Sequence, residues 1–417
     1  MKRKFSFDTH KERAFQEDHL IEYFYVRENL FPFIDKTSSQ RSGMASTQFQ
    51  NKVSTIFSEE PYIDTNLSSD ILSHSSCIEK YKGSKITIKK KFTYQNTTYI
   101  FYTDDKDILQ LKIFEKYLYN AGFANKIKSD LLTLEENVTY EITNNDDFYL
   151  EYIDLFNPVT GVVSYGINAR TTFNSDISSS NDSCAISRSF ANKLSTLKYD
   201  EIKIELPKNK KILSKYEDIF PPLNTLLTDN VLFRIVNEDN LLSSILLDAN
   251  TPPSGFEEIV KFIRDNSFIH GIEVYSNNEI ANPILNNYRI ELNQFKDQIF
   301  NYIRNNYKAT QISPDVARIF DNFSYSKRRI EDRPIDNIFM IIKVVSVNHC
   351  QVGSKLSNRH GGKVTIQEIK EDDQMIDEFG NTVEILGPPH SIIGRTNFGM
   401  LYEHYCGTII YFFELIV

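Results

Sequence analysis

The sequence predicts a β-rich α+β fold built from two or three structural modules. Residues 86–103 alternate in polarity and are rich in β-branched and aromatic residues, which is typical of strands, and residues 134–173 also look β-rich. Residues 336–347 form a continuous apolar run of β-forming residues, which indicates a strand buried on both faces. A chain of 417 residues also exceeds the usual size of a single compact core.

The order of elements along the chain follows from local patterns. A helix is expected over residues 12–31, with a polar segment after it at 35–52. Further strands are predicted at 200–206, 231–236 and 269–276. Apolar residues spaced three or four apart predict a packed helix over 287–307, and they are Leu292, Phe295, Ile299, Tyr302 and Ile303.

Bulk charge and apolar content exclude some classes of protein. A net charge of −9 argues against a free-standing nucleic-acid binder, although it leaves room for local basic sites. No apolar run reaches the roughly 18 residues of a membrane-spanning helix. The four cysteines form no CxxC pair, which favours reduced thiols. The apolar stretch 408–417 is expected to be a buried strand or a surface docked on a partner.

One basic group lies on the predicted strands near the start of the chain. Two interpretations stay open for it, a solvated strand face or a surface that contacts phosphate. The group consists of Lys80, Lys82, Lys85, Lys89, Lys90 and Lys91.

The C-terminal region has the composition of a ligand site. Eight of the 15 glycines lie between Gly353 and Gly407, and such density indicates tight turns or a close backbone approach. The stretch VGSKLSNRHGGK, at 352–363, is expected to place four cationic or titratable side chains on a turn at the end of the buried strand: Lys355, Arg359, His360 and Lys363. Lysine suits phosphate, and two adjacent glycines allow backbone N–H groups to converge on an anion. Arg395 supplies a second cation, since guanidinium binds phosphate with two hydrogen bonds. A plain basic surface turn is the alternative.

Four stretches of this region resemble, in order and approximate spacing, the C-terminal catalytic region of the β subunit of multisubunit DNA-directed RNA polymerases. They are VGSKLSNRHGGK, EDDQM, DEFGNTVEIL and IIGRTNFGMLYEHYCG. The family has there a GDK–RHGNKG turn, an ED-M element and an N-P-x-G-x-P-S-R-M-x-x-G-Q-x-x-E segment. Residues 30–54 are similar to the family's fork-loop segment, with Arg41 in register, and residues 166–190 to its N-F-E-D-A-I-L-I-S-E-R segment, with Asp182 in register.

The chain also departs from the family pattern. GSK replaces GDK, RHGGKV replaces RHGNKG, and Asn-Asp replaces the Glu-Asp pair that ends at Asp182. No counterpart of the family's K-x-x-R-S-N-Q element is found, so the contacts that this element makes in the family are assigned to no residue here.

The resemblance implies a double-psi β-barrel assembled from residues 150–206 and 331–417. It further implies an N-terminal helix and fork-loop region at 1–60, a β-rich hybrid-binding region at 61–149 and a flap-like insertion at 207–330. The chain begins near the fork loop and ends soon after LYEHYCG, which looks most like the split β subunits of giant bacteriophages.

The resemblance also implies the chemistry of nucleotidyl transfer. Lys355 and Lys363 would contact phosphates near the RNA 3′ end and the incoming α-phosphate, and Arg395 the β- and γ-phosphates. Asp182 would lie near the second Mg²⁺, through water, while the metal itself is held mainly by a β′-like partner. Arg41 would lie near the downstream edge of the RNA–DNA hybrid. Arg359 and His360 belong to the same nucleic-acid-binding turn and would mainly hold its shape.

The expected partners follow from this assignment. They are β′-like subunits, an N-terminal β fragment, a fragment that completes the β C-terminus, template DNA, RNA, nucleoside triphosphates and a promoter-specificity factor. The expected location is the cytoplasm of a bacterial host, with packaging in a virion left open, and no membrane is involved. Two alternatives remain: a non-catalytic β mimic that regulates a host polymerase, and an unrelated phosphate-binding enzyme.

Overall fold

The computed structural model describes most of the chain as a β-rich α+β protein with several sheets. The described residues are 31–65, 78–116, 126–142, 148–174, 176–179, 182–207, 210–214, 216–227, 231–237, 259–262, 266–324, 329–330, 333–334 and 337–414. The helix expected at 12–31 lies outside them apart from its last residue. The division of the chain into modules stays a prediction. No helix among the described residues is long and apolar enough to cross a membrane.

A three-stranded antiparallel sheet is built around the apolar run. Strand β17 (Ile338–Asn348) lies between β10 (Thr196–Leu206) and β14 (Ser267–Tyr275). Adjacent residues of a strand point to opposite faces, and both Val344 and Val345 are buried. The predicted strand is confirmed, and so are the strands predicted at 200–206 and 269–276. Its burial on both faces is confined to residues 344–346, because Phe339, Ile341 and Lys343 on one face are only partly buried.

A second sheet contains the strands predicted at 86–103. It has four antiparallel strands in the order β4 (Leu109–Glu115), β3 (Thr97–Thr103), β2 (Lys85–Tyr94) and β6 (Thr139–Glu141). The predicted helix is α3 (Pro283–Asn306), which begins after Asn282. The Asn282 side chain accepts hydrogen bonds from the first turn of that helix, and Pro at the first position suits a helix start. Its apolar stripe packs against residues of this sheet, among them Phe101, Leu109 and Leu111.

Two lysines of the basic group on β2 are held by internal contacts. Lys90 Nζ lies 2.8 Å from a carboxylate oxygen of Glu136. Lys91 Nζ donates to the carbonyl oxygens of Leu132 and Leu134 at 2.9 and 2.7 Å. These two side chains are engaged within the fold, which favours the interpretation of this face as ordinary protein surface.

The sheet that carries the candidate site combines two distant segments of the chain. Its order is β18 (Lys355–Ser357), β19 (Lys363–Lys370), β9 (Ser183–Ser187), β20 (Ile385–Gly387) and β8 (Thr171–Phe173). β19 pairs with β9 in parallel, and β20 pairs with β8 in parallel, whereas β18–β19 and β9–β20 are antiparallel. The two segments are therefore interleaved strand by strand.

Helices form near both ends of the described residues. The polar segment at 35–52 contains helix α1 (Ser39–Gln50), whose Ala45 and Phe49 are buried against Phe31. The strand expected at 408–417 is wrong over residues 408–414, because residues 398–414 form one long helix, numbered α6 below, and the alternative of a surface docked on a partner stays a prediction. Residues such as Thr, Ile, Tyr and Phe favour strands, but a helix that has started extends at little cost through residues of moderate propensity.

The remaining elements complete the fold around these sheets. A small sheet joins β1 (Ile78–Lys80), β7 (Tyr149–Ile153) and β5 (Ile127–Lys128), and another joins β11 (Lys210–Leu213), β12 (Val231–Asn237) and β13 (Ile259–Phe262). Strands β15 (Arg329–Ile330) and β16 (Arg333–Pro334) form a pair. The other helices are α2 (Arg188–Lys193), α4 (Pro314–Ser324), α5 (His390–Ile393) and α6 (Phe398–Glu414).

Candidate functional site

The two predicted catalytic lysines lie on one face of the β18–β19 hairpin. Lys355 pairs with Thr365, and Ser357 pairs with Lys363. Paired residues share a face and successive residues alternate, so Lys355 and Lys363 are diagonal neighbours, roughly 7 Å apart at their backbones. Both residues are exposed. They lie in strands on either side of the turn and not within it, which corrects the expected placement.

The opposite face of the same hairpin is apolar and holds it against the core. Leu356 and Val364, which pair with each other, pack against a cluster that contains Cys184 and Ile366. Burial in this cluster raises the pKa of the Cys184 thiol to about 12. The cationic face is therefore fixed in orientation by the hydrophobic face beneath it.

Asp182 lies at the same end of the sheet as Lys363. It directly precedes β9, and its carbonyl oxygen accepts a hydrogen bond from Thr365 N–H at 2.8 Å. The parallel register pairs Thr365 with Ser183, so the start of β9 lies beside the start of β19. The pairing across the sheet thus brings Asp182 and both lysines to one end of the strands. This end of the sheet is called the edge below.

Arg395 completes this edge from a different element. It lies between α5 and α6, and its guanidinium donates a hydrogen bond to the Asp182 carboxylate. The Arg395 side chain is 24% exposed and that of Asp182 is 58% exposed. Two residues that the sequence assigned to the same reaction are therefore in direct contact.

Arg41, on α1, belongs to the same group of charges. Its guanidinium donates to the carbonyl oxygen of Gly361 at 3.3 Å. Burial lowers the pKa of the Arg41 guanidinium, and the nearby positive charge of Arg395 lowers it further, while Asp182 opposes the shift. Arg41 is thus placed close to Arg395.

Arg359 is partly buried and His360 is buried in the turn between the two lysine strands. The His360 ring is fully buried; its Nδ1 lies 3.0 Å from Thr37 Oγ1 and its Nε2 lies 2.5 Å from a carboxylate oxygen of Glu403. Arg359 donates from Nε to Glu403 at 2.9 Å and from a terminal nitrogen to the carbonyl oxygen of Ile63 at 2.8 Å. These contacts are of the kind expected of residues that hold the turn in shape.

The expected convergence of backbone N–H groups on an anion does not occur at the second glycine. The side-chain oxygen of Asn358 accepts hydrogen bonds from the N–H groups of His360 and Gly362, at 3.0 and 2.8 Å. Asn often closes a turn in this way, so these two donors are satisfied within the turn. They are therefore not directed at an anion in this structure.

Two glycines permit the close approach of the elements around the turn. Gly361 has φ of +74°, and a Cβ at this position would overlap the carbonyl oxygen of Arg41. At Gly399, the start of α6, a Cβ would overlap Thr37 and the backbone of Phe33 and would come within 2.8 Å of His360 Nδ1. Helices α1 and α6 and the turn are packed at backbone distance.

Comparison with known proteins finds limited similarity to RNA polymerase subunits beta. The DNA-directed RNA polymerase subunits beta of Citrifermentans bemidjiense and of Geobacter sp. strain M21 are each 33% identical over 94 residues. That of Geobacter sulfurreducens is 32% identical over 96 residues. In each case, 22% of this chain matches 7% of the relative's length. No family model matches the chain.

This chain contains a region related to the polymerase β subunit. The similarity is to a subunit of the transcription machinery. Since the chain spans only a small part of these relatives, their whole activity does not transfer with the match.

Sequence reasoning missed the residues that hold the candidate site together. Glu403 contacts both Arg359 and His360, and Asn397 donates through Nδ2 to the carbonyl oxygen of His360 at 3.0 Å. Glu403 could have been identified from the sequence, because the family segment quoted above ends in a glutamate that falls at this position. Thr37 carried no signal, because its contact with His360 joins residues far apart in the chain.

The described residues do not by themselves offer a complete magnesium site. Within the described ranges, no three or more His, Cys, Asp or Glu side chains gather in a way that could hold a metal ion. Asp182, the one residue expected near Mg²⁺, already accepts a hydrogen bond from Arg395. A metal at this edge would need ligands from outside these residues.

Proposed function

We propose that this chain is a catalytic β-type component of a multisubunit DNA-dependent RNA polymerase. The observation that carries the proposal is the shared exposed face of Lys355 and Lys363, with Arg395 and Asp182 at the same edge of the sheet. Cationic side chains gathered from three separate elements suit a ligand that carries several phosphates. The finer identity, a C-terminal β fragment of a split polymerase like those of giant bacteriophages, rests on the resemblance.

The fold proposed for the site is the double-psi β-barrel. Two parallel pairs, β19 with β9 and β20 with β8, interleave the segments at 171–187 and 363–387. Interleaved parallel strands from two halves of a chain are what this barrel requires, and they support the proposal.

The proposed roles follow the positions of the charges. Lys355 and Lys363 bind phosphates of the RNA 3′ end and the α-phosphate of the incoming nucleotide, because they share one exposed face. Arg395 binds the β- and γ-phosphates once its carboxylate partner is displaced. Phosphoryl transfer gathers negative charge on the phosphate oxygens, and fixed cations stabilise that charge. Mg²⁺, held by a β′-like partner, would add further neutralisation.

Purification from the cells where the chain is naturally made tests the proposal. A tagged full chain should co-purify with β′-like subunits, and the assembly should synthesise RNA from DNA and nucleoside triphosphates. Lys363→Ala should lower the elongation rate by about 10²- to 10³-fold, as for other fixed charges at reacting groups. Lys90→Ala, which removes a lysine paired with Glu136 on another sheet, is the matched control and should have no effect.

Two outcomes contradict the proposal. A Lys363→Ala assembly that transcribes at the normal rate removes the catalytic role. If the chain binds a host RNA polymerase, and substitution of Lys355 and Lys363 does not change its effect on that polymerase, the alternative of a non-catalytic β mimic is correct.

A further inference from the structure

Glu403 is the point where the elements of the site meet. Its side chain projects from α6 and is 23% exposed. One carboxylate oxygen accepts hydrogen bonds from two nitrogens of Arg359, and the other lies 2.5 Å from His360 Nε2. Burial alone would raise the pKa of Glu403, but the hydrogen bond with His360 and the charge of Arg359 lower it overall. The carboxylate is therefore charged at neutral pH.

The partners of Glu403 lie between the two lysine strands. Arg359 and His360 occupy the turn that joins β18, which begins at Lys355, to β19, which begins at Lys363. A shift of this turn would move both lysines, because the hairpin has three paired positions and one apolar face to hold it.

The contacts of His360 extend this support to the two arginines. Nδ1 of His360 lies 3.0 Å from Thr37 Oγ1, and Thr37 directly precedes the α1 turn that leads to Arg41. The carbonyl oxygen of His360 accepts a hydrogen bond from Asn397, two residues after Arg395. Through its ring and its backbone carbonyl, His360 thus contacts the segments that lead to Arg41 and Arg395, and it lies itself in the turn between the two lysine strands.

We propose that Glu403 is a positioning residue, which fixes the Arg359–His360 turn and through it the spacing of Lys355, Lys363, Arg41 and Arg395. The inference rests on the proposed function, since it assumes that these cations bind phosphate together. Glu403 itself touches no substrate. Its carboxylate satisfies two buried partners whose positions determine where the four charges lie.

Glu403→Gln tests this inference with a clear sign. The substitution keeps the size of the side chain and removes one negative charge. Loss of a negative charge near a cationic site strengthens anion binding by simple electrostatics. Displacement of the turn weakens it, so a decrease in affinity reports misplacement of the cations and not the change in charge.

The probe is inorganic tripolyphosphate, titrated into the full chain and followed by ³¹P NMR. Glu403→Gln should raise the dissociation constant by about fivefold, the loss expected for roughly one contact. Glu371→Gln is the matched control, because Glu371 pairs with Arg188 at 3.0 Å outside this network. It makes the same change in net charge and should leave affinity unchanged or slightly higher.

A double-mutant cycle separates positioning from general stability. Lys363→Ala should weaken binding in the wild type and have a smaller effect in the Glu403→Gln background, because the lysine is already misplaced there. If Glu403→Gln does not fold, Thr37→Val removes the hydroxyl partner of His360, keeps the Arg359–Glu403 pair, and should give the same direction of change.

The outcomes are distinct. If Lys363→Ala weakens tripolyphosphate binding while Glu403→Gln and Thr37→Val bind like the wild type or better, the positioning role is wrong and the phosphate site stands. If Lys363→Ala has no effect, or the wild type does not bind tripolyphosphate, the phosphate site is wrong and the inference fails with it.

Discussion

Arg395 donates a hydrogen bond to the carboxylate of Asp182, so a proposed phosphate-binding residue and a proposed metal-proximal residue are paired with each other. Arg41 lies beside the pair and is held by the carbonyl oxygen of Gly361. The local group has two guanidinium groups and one carboxylate. A phosphate that enters this edge competes with Asp182 for Arg395.

Removal of the competing carboxylate should strengthen phosphate binding. In Asp182→Asn, Arg395 is free to contact the anion and a repulsive charge is lost. Partly exposed ion pairs contribute up to about 1 kcal/mol, so the dissociation constant for tripolyphosphate in the absence of Mg²⁺ should fall by up to about fivefold. The control is Asp107→Asn, which removes a carboxylate 3.9 Å from Lys85 on another sheet. Weaker binding by Asp182→Asn would show that the carboxylate supports the anion site.

The two hairpin lysines should each contribute to the salt dependence of RNA binding. Each phosphate neutralised on a single strand adds about 0.7 to the slope of log affinity against log salt concentration. Lys355→Ala and Lys363→Ala should therefore each reduce the slope for a short single-stranded RNA by about 0.7, measured by fluorescence anisotropy. Lys90→Ala should leave it unchanged. An unaltered slope in both hairpin variants would mean that this face does not contact RNA phosphates.

The hairpin should tolerate a side chain at Gly353, which precedes β18, better than at Gly361, which lies in the turn between β18 and β19. Both glycines have positive φ, +90° and +74°, which costs an ordinary residue about 1–2 kcal/mol. Gly353 has no atom within 4 Å of an added Cβ, whereas Gly361 faces the backbone of Arg41. Overpacking adds about 1–3 kcal/mol, so Gly361→Ala should lower the free energy of unfolding by about 2–5 kcal/mol and Gly353→Ala by only 1–2 kcal/mol. Urea denaturation measures both, and equal losses would contradict the close packing of the turn on α1.

Acid should destabilise the protein through His270. This residue is 1% exposed, and burial, with the charges of Lys343 and Lys116, lowers its pKa to about 4. The unfolded chain binds a proton near pH 6.5, whereas the folded chain does not until about pH 4. The stabilisation that neutral His270 gives to the folded state is therefore fully present above pH 6.5. The free energy of unfolding declines as pH falls towards 4, by up to about 3 kcal/mol.

His270→Phe provides the comparison, because it keeps an aromatic ring beside Tyr199 and cannot titrate. As pH falls from 6.5 to 4, the unfolding free energy of the wild type should decrease by more than that of the variant. Parallel stability curves over this range would exclude His270 as the source.

Much of the fold could be predicted from local patterns. The strand at 338–348 follows from its apolar run, and α3 follows from apolar residues spaced three or four apart. Both signals are local, and each element buries most or part of its predicted residues: four of the five stripe residues of α3, and alternate residues of β17. The helix α6 was misread, because its C-terminal residues have strand-like propensity and its helical state depends on the turns before them.

The candidate site was only partly predictable. The resemblance selected the cations, and their order along the chain gave no distances. The pairing of Arg395 with Asp182 and of His360 with Thr37 depends on contacts between segments hundreds of residues apart. A pattern along one strand or helix carries no information about such contacts. It is for the same reason that the lysines were expected in the turn, whereas strand pairing places them beside it.

The parallel pairing of β9 with β19 joins Ser183 to Thr365, and this has a consequence for biosynthesis. Closing so large a loop is slow, because its entropy must be lost before the contact forms. During translation, β9 leaves the ribosome long before its neighbour exists. One of its edges stays open until residue 370 has emerged and the other until residue 387, so a nascent chain is at its most aggregation-prone over this interval and would gain most from a chaperone then.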